Sequence, residues 1–224
     1  MECARRGADV LLTYKTSMSM AENVADEVRS VGVLAEVRQL DIADPESIAG
    51  FVSGFGADEH IDAVVLNAGT WAGGRVGQID DGEWWSVVET NLRGAYLLTK
   101  GLLEPIRRSI SPSITIVSSV VGITGFPGDT AYASSKGALI VFAKSLAKEV
   151  VRDGIRVNVI APGFVTTDLT AGLEGKARAQ VLSEIPMARA GTPEEIAKGI
   201  GFLVFDGSYM TGSVLTIDGG WSSR

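Results

Sequence analysis

Cysteine and histidine are nearly missing from this chain of 224 residues, which holds one of each, Cys3 and His60. A lone cysteine cannot close an internal disulfide, so the fold must rest on its core, and this usage fits a reducing, cytoplasmic setting. A lone histidine removes the Ser-His and Cys-His nucleophilic mechanisms and most zinc sites, and no metal is expected. Basic residues never cluster beyond the pairs Arg5–Arg6 and Arg107–Arg108, and the formal net charge is −7. A nucleic-acid partner is therefore not expected. No apolar run is long enough to span a bilayer, and Met1 to Gly7 lack the apolar stretch of a secretory leader, so no membrane partner is expected either.

What is present is apolar sequence in short, regular doses. Hydrophobic residues make up 46% of the chain against 21% charged, enough for a sizeable core. Candidate strands are Asp9–Tyr14, Val33–Leu40, Ile61–Leu66, Ser113–Ser118, Arg156–Ile160 and Ser213–Ile217. The third and fourth are nearly continuous in Val and Ile, as in strands covered on both faces. Helical periodicity fills Met20–Ser30, Pro45–Gly54, Gly82–Leu103, Thr130–Arg152 and Pro193–Phe205. Asp44-Pro45 and Thr192-Pro193 place a capping side chain just before a proline suited to a first helical turn. The alternation of strand and helix, with no linker, repeat or low-complexity tract, predicts one α/β domain with a doubly wound, Rossmann-like parallel sheet.

The densest chemistry lies between Ser118 and Lys136. A buried strand ends in the hydroxyls of Ser118 and Ser119, a loop with Gly122, Gly125 and Gly128 follows, and a helix then carries Tyr132 and Lys136. The i, i+4 spacing sets these two side chains on one helix face. Free tyrosine titrates near ~10 and is a poor base at neutral pH. A neighbouring ammonium would favour the phenolate, and a strand-end serine could hold a carbonyl oxygen beside the phenol. The spacing alone decides little, since Tyr96 and Lys100 repeat it without a strand-end serine or glycine loop before them. That pair is read as structural.

Context adds weight. The segments Asn67-Ala-Gly69, Asn91-Leu-Arg-Gly94, Ser119 with Tyr132-Ala-Ser-Ser-Lys136, Asn158-Val-Ile-Ala-Pro-Gly163 and Asp218-Gly-Gly220 follow one another in order. In them the chain resembles the short-chain dehydrogenase/reductase family, and more narrowly its 3-oxoacyl-[acyl-carrier-protein] reductases. Ile185-Pro-Met-Ala-Arg-Ala-Gly-Thr-Pro-Glu-Glu195 and Tyr209-Met-Thr-Gly212 resemble that branch too. The resemblance implies an NAD(P)-dependent enzyme that interconverts a ketone, including a 3-oxoacyl thioester, and a secondary alcohol by hydride transfer. It implies that Ser119 orients the carbonyl, Tyr132 moves the proton, Lys136 lowers the tyrosine pKa and binds the nicotinamide ribose, and Asn91 holds a water linking Lys136 to solvent. Without the motif order, Asn91 reads as a capping or helix-bend residue. The resemblance further implies that Asn67, Ala68 and Gly69 lie close to the cofactor, that Asp41 and Ile42 meet the adenine, and that Pro162, Gly163, Val165 and Thr167 face the nicotinamide. It implies a homotetramer built through the two long helices, Gly82–Leu103 and Thr130–Arg152, and through C-terminal segments.

The cofactor is expected to be NADP, with NAD as the alternative. The strand ending at Thr13-Tyr14-Lys15-Thr16-Ser17 carries no carboxylate for a ribose 2′-hydroxyl, and Lys15 could receive a 2′-phosphate. Lys15 also reads as an ordinary solvated lysine. The chain departs from the family at its start, where a strand and a Thr-Gly-x-x-x-Gly-x-Gly turn are expected. Residues 1–224 therefore read as a short-chain dehydrogenase/reductase domain that is N-terminally incomplete and lacks the first strand. The glycines 69, 73, 74 and 77 precede no helix directly and read as a flexible substrate-side loop. Trp71, Val120, Phe126, Phe164 and Leu169 are the expected pocket lining. Asp153, where the reductase branch is basic, argues against an acyl-carrier protein as partner. The competing reading is a non-catalytic binding or scaffold protein on the same fold with a degenerate cofactor site.

Overall fold

The computed structural model describes residues 1–223. Six parallel strands alternate with helices: β1 (Val10–Tyr14), β2 (Ala35–Gln39), β3 (Ala63–Leu66), β4 (Ser113–Val117), β5 (Arg156–Pro162) and β6 (Val214–Ile217). The helices are α1 (Glu2–Arg5), α2 (Met18–Ser30), α3 (Pro45–Ser53), α4 (Asp81–Val88), α5 (Gly94–Arg107), α6 (Val121–Thr124), α7 (Thr130–Val150), α8 (Gly175–Glu184) and α9 (Pro193–Gly201). The strands fall into two groups, β1–β2 and β3–β4–β5–β6. In the larger one, Leu66 faces Ile116, Val117 faces Ile160 and Pro162 faces Ile217.

The core forms where sequence periodicities meet. Along α5, Ala95, Leu98, Leu102 and Ile106 are buried, and along α7 Leu139, Ala143, Leu146 and Val150 are buried. Both stripes close on Ile114, Ile116, Val157 and Val159 of the central strands. The helix starts follow the sequence signals. The Asp44 side chain accepts from Glu46 N, and Thr192 and Glu195 cap each other's backbone N–H.

Four elements depart from the expected pattern. The run Gly82–Leu103 is not one helix, because a π-helical turn, Glu89–Arg93, joins α4 to α5. A second such turn, Phe202–Asp206, prolongs α9. The loop after Ser119 begins with α6. Helix α8 has no apolar stripe to announce it, with Val181 its one buried residue.

No strand pairs β1 with β3. Their C-terminal ends nevertheless line one cavity of about 380 Å³, together with the residues after β2. The chain exposes 12096 Å². A compact globule of its mass exposes roughly 9,800 Å². The excess, about a quarter, agrees with a sheet that is open between its two halves.

Candidate active site

Strand β4 delivers two serines to the C-terminal edge of the sheet, and each is used differently. Ser118 Oγ donates to the Lys136 carbonyl at 2.7 Å and ties α7 to the strand end. Ser119 turns to the other side and reaches the Tyr132 hydroxyl. Close approach of α6 to α7 makes this possible. A Cβ on Gly122 would stand 2.7 Å from Gly137 N, and one on Gly137 would stand 2.9 Å from Gly122 O. Only glycines at both positions let the helix lie this near.

Lys136 is 4% exposed. Its Nζ donates to the Val117 carbonyl at 2.9 Å and lies 5.6 Å from the centre of the Tyr132 ring. Burial brings its pKa down to about 8. Burial pushes the Tyr132 hydroxyl above its ordinary value, the Ser119 contact opposes this, and the negative charge of Asp129 adds to it. In this arrangement Lys136 does not offset that rise. The ammonium is turned to a backbone carbonyl and is itself poorly solvated, so desolvation of the phenol dominates. At neutral pH the site holds a protonated phenol, which suits it to give a proton.

Asn91 sits in the π-helical turn and is 2% exposed. Its amide accepts from Thr70 N at 2.7 Å and donates to Thr70 O at 2.9 Å and Ser135 Oγ at 3.0 Å. Asn91 thus belongs to a helix irregularity and also faces the site. A Cβ on Gly69 would meet Asn91 Oδ1 at 3.0 Å and Lys136 Nζ at 3.4 Å. The turn after β3 is thus pressed against both groups.

The expected cofactor residues form two groups. Lys15, Asp41, Ile42, Ala68 and Gly69 line the cavity at the ends of β1, β2 and β3. Asn67 precedes Ala68 in the same turn, its N–H bonded to Val65 O. Lys15 Nζ is 2.8 Å from Asp41 Oδ2, and this contact, with the Ala43 N–H, holds the Asp41 carboxyl below its usual range. The lysine expected to meet a 2′-phosphate is therefore paired, yet its side chain is 62% exposed and free to turn. Pro162 ends β5, and Gly163, Val165 and Thr167 follow it, where Gly191 bonds the backbone of Phe164 and Thr166. A Cβ on Gly163 would stand 2.6 Å from Asp218 Cα.

A nicotinamide dinucleotide fits these residues on two observations. The Lys136 ammonium has three N–H donors, and in its buried position Val117 O is the one acceptor bonded to it among the described residues. The ends of β1, β2 and β3 leave a cavity of about 380 Å³ beside the turn at Gly69.

The substrate side differs from expectation in two places. Val120 is 1% exposed and lies behind the wall rather than in it, because its place at the start of α6 turns it into the core. The C-terminal segment, for which no place beside the pocket was expected, braces the mouth. The Trp221 ring packs edge-on to Phe126 at 6.0 Å, and its Nε1 donates to Glu184 at the end of α8. Asp218 accepts from Gly220 N and Ser222 N and so fixes that turn. Tyr96, by contrast, packs on Phe142 and leaves Lys100 exposed, as a structural pair should.

A parallel sheet ending in Ser119, Tyr132 and Lys136, with an open cavity at the ends of β1, β2 and β3, defines an α/β oxidoreductase. A family model described as enoyl-(acyl carrier protein) reductase matches residues 1–222. The 3-oxoacyl-[acyl-carrier-protein] reductase FabG of Chlamydia muridarum is 38% identical over 222 residues, 97% of this chain and 88% of the relative. FabG of Escherichia coli K12 is 37% identical over 219 residues, again 97% and 88%. A structure described as a candidate NAD(P)-dependent gluconate 5-dehydrogenase from Beutenbergia cavernae, with NADP bound at low occupancy, superposes with a TM-score of 0.93 at 34% identity, covering 100% of this chain and 90% of that one. The NADP complex of Pseudomonas aeruginosa RhlG gives 0.90 at 30% identity, covering 99% and 89%. The chain belongs to the short-chain dehydrogenase/reductase family.

Proposed function

We propose that the protein reduces a ketone to a secondary alcohol with NADPH, 3-oxoacyl thioesters being among the candidate substrates, and that Tyr132 is the proton donor. The observation that carries this is the convergence of Ser119, Tyr132 and the buried Lys136 at the end of β4. When bound, NADPH supplies the hydride for the carbonyl carbon. Ser119 donates a hydrogen bond to the carbonyl oxygen and sets it beside the phenol. Tyr132 gives its proton to that oxygen as negative charge develops there. Lys136 stabilises the phenolate left behind, and its remaining N–H groups hold ribose hydroxyls. Asn91 fixes the turn at Thr70 and shapes the route by which Lys136 exchanges protons with solvent. Two features support NADP over NAD: β1 ends without a carboxylate, and Lys15 stands at the cavity beside it. The assembled Ser119, Tyr132, Lys136 and Asn91 favour an enzyme over a scaffold.

The test is consumption of NADPH over a panel of ketones and acyl thioesters. Tyr132→Phe should lower kcat by about 10²–10⁴-fold. Turnover within threefold of the wild type, roughly 1 kcal/mol or less, would refute the assignment.

Three broader readings belong with it. The first is that the domain continues the sheet with a strand between β1 and β3, preceded in sequence to Glu2 and followed by a glycine-rich turn. The unpaired β1 and β3 and the excess surface support this. A chain lengthened in this way should bind NADPH more tightly and melt several degrees higher. Equal affinity and stability would refute it. The second is a homotetramer, supported by exposed Tyr96 and Val141 on the outer faces of α5 and α7. A monomer mass by light scattering would refute it. The third is a cytoplasmic location. It is supported by the cysteine usage, and no helix among the described residues is long and apolar enough to cross a membrane.

A further inference from the structure

Asp129 immediately precedes α7. An aspartate there ordinarily accepts from first-turn N–H groups, which contributes about 1 kcal/mol. This one makes no such bond. Its Oδ1 instead accepts from the indole of Trp71 at 3.0 Å, across 58 residues. The same loop is fastened again by Gly74 N donating to Gly128 O at 2.8 Å, and Trp84 Nε1 donates to Thr130 one residue further on. The loop expected to be flexible is thus tied down at the start of the catalytic helix. Gly73 is needed for this, since a Cβ there would lie 2.3 Å from the Trp71 ring.

The tie aims a carboxylate at the reacting group. The Asp129 charge reaches the Tyr132 phenol, three residues along the helix. Asp129 is partly exposed, and Oδ2 has no protein donor among the described residues. An ionised carboxylate only accepts. Here it stands half sheltered from water between the loop after β3 and the start of α7, where charge is screened less than on an open surface.

We propose that Asp129, held by Trp71, is a specificity-determining residue that selects ketones carrying a hydroxyl or ammonium donor near the carbonyl and rejects those carrying a carboxylate or phosphate there. A donor finds an open, charged acceptor next to the proton-transfer centre. An anion meets a like charge that cannot withdraw, because the indole N–H fixes it. Arg178, which could compensate, is engaged with the Phe164 ring and Thr166. The proposal rests on Tyr132 being the proton donor.

The test uses three ketones of one carbon skeleton, ending in a hydroxyl, an ammonium or a carboxylate. In the wild type, kcat/KM for the two donor-bearing ketones should exceed that for the carboxylate by about tenfold or more. In Asp129→Asn the ratio should collapse to about threefold or less, since the amide keeps the shape but not the charge. In Trp71→Phe the carboxylate stays but is no longer held, so KM for the donor-bearing ketones should rise more than kcat falls. The same ratio in wild type and Asp129→Asn, or a wild-type preference for the carboxylate, would overturn the proposal. Calorimetric binding of the three compounds to NADPH-loaded Tyr132→Phe ranks them without turnover. Ranking without turnover in the wild type would overturn only the catalytic reading; turnover without ranking would overturn only this one.

Discussion

Lys136 should make the protein less stable than it could be. Burial takes its pKa from 10.5 to about 8. That displacement corresponds to about 3 kcal/mol against the folded state whenever the lysine is charged. Lys136→Met would remove this cost and fill the same space with apolar volume. It would also leave the Val117 carbonyl without its donor, a loss of about 1 kcal/mol. The net gain is about 2 kcal/mol, or about 4–8 °C in Tm for a chain of this length. The pH dependence has a definite sign. The folded pKa lies below the unfolded one, so the folded chain binds fewer protons between them and wild-type stability rises with pH across that window. The advantage of Lys136→Met should be full below pH 8 and fade as pH approaches 10.5. Differential scanning calorimetry of both proteins without cofactor, at several pH values, measures it. A methionine variant that melts at or below the wild-type temperature at pH 7 would refute the reasoning. Turnover should be lost in the same variant, which would separate stability from function at one residue.

Other outcomes follow from named contacts. The raised Tyr132 pKa keeps the phenol protonated, so ketone reduction should persist through neutral pH while alcohol oxidation climbs toward alkaline pH; initial rates in both directions check this, and an oxidation optimum in acid would contradict it. Lys15→Asp breaks the pair with Asp41 and adds a carboxylate at the end of β1, and the NADPH-to-NADH ratio of kcat/KM should fall by about tenfold or more. Gly122→Ala drives a methyl into the backbone of α7, so it should lower Tm by several degrees, about 1–3 kcal/mol, and reduce kcat by widening the gap between Ser119 and Tyr132.

The parts of the fold that were legible in sequence are those where one segment decides its own structure. Strands β3 and β4 are short apolar runs, α3 and α9 begin at Asp-Pro and Thr-Pro, and Tyr132 and Lys136 share a face because they are four apart. Local pattern offered both Ser118 and Ser119 at the strand end, and only the family resemblance singles out Ser119, Ser118 being used to tie α7 to the strand. The rest depends on contacts between distant segments. The Trp71–Asp129 bond joins two loops, and neither sequence neighbourhood hints at the other. Helix α8 buries only Val181 and is held at its end by Trp221 rather than by an apolar stripe. The π-helical turn at Asn91 has no residue pattern of its own, so α4 and α5 read as one helix. The protonation state of Tyr132 also escaped. Burial and the direction in which Lys136 points decide it, and neither is encoded in spacing.

Trp221 lies far in sequence from both of its partners, its ring against Phe126 and its N–H reaching Glu184. One indole thus couples the loop that leads into α7 to the end of α8. Any movement of α8 away from that loop must break a ring contact and a hydrogen bond together, so the two segments open or stay shut as a unit.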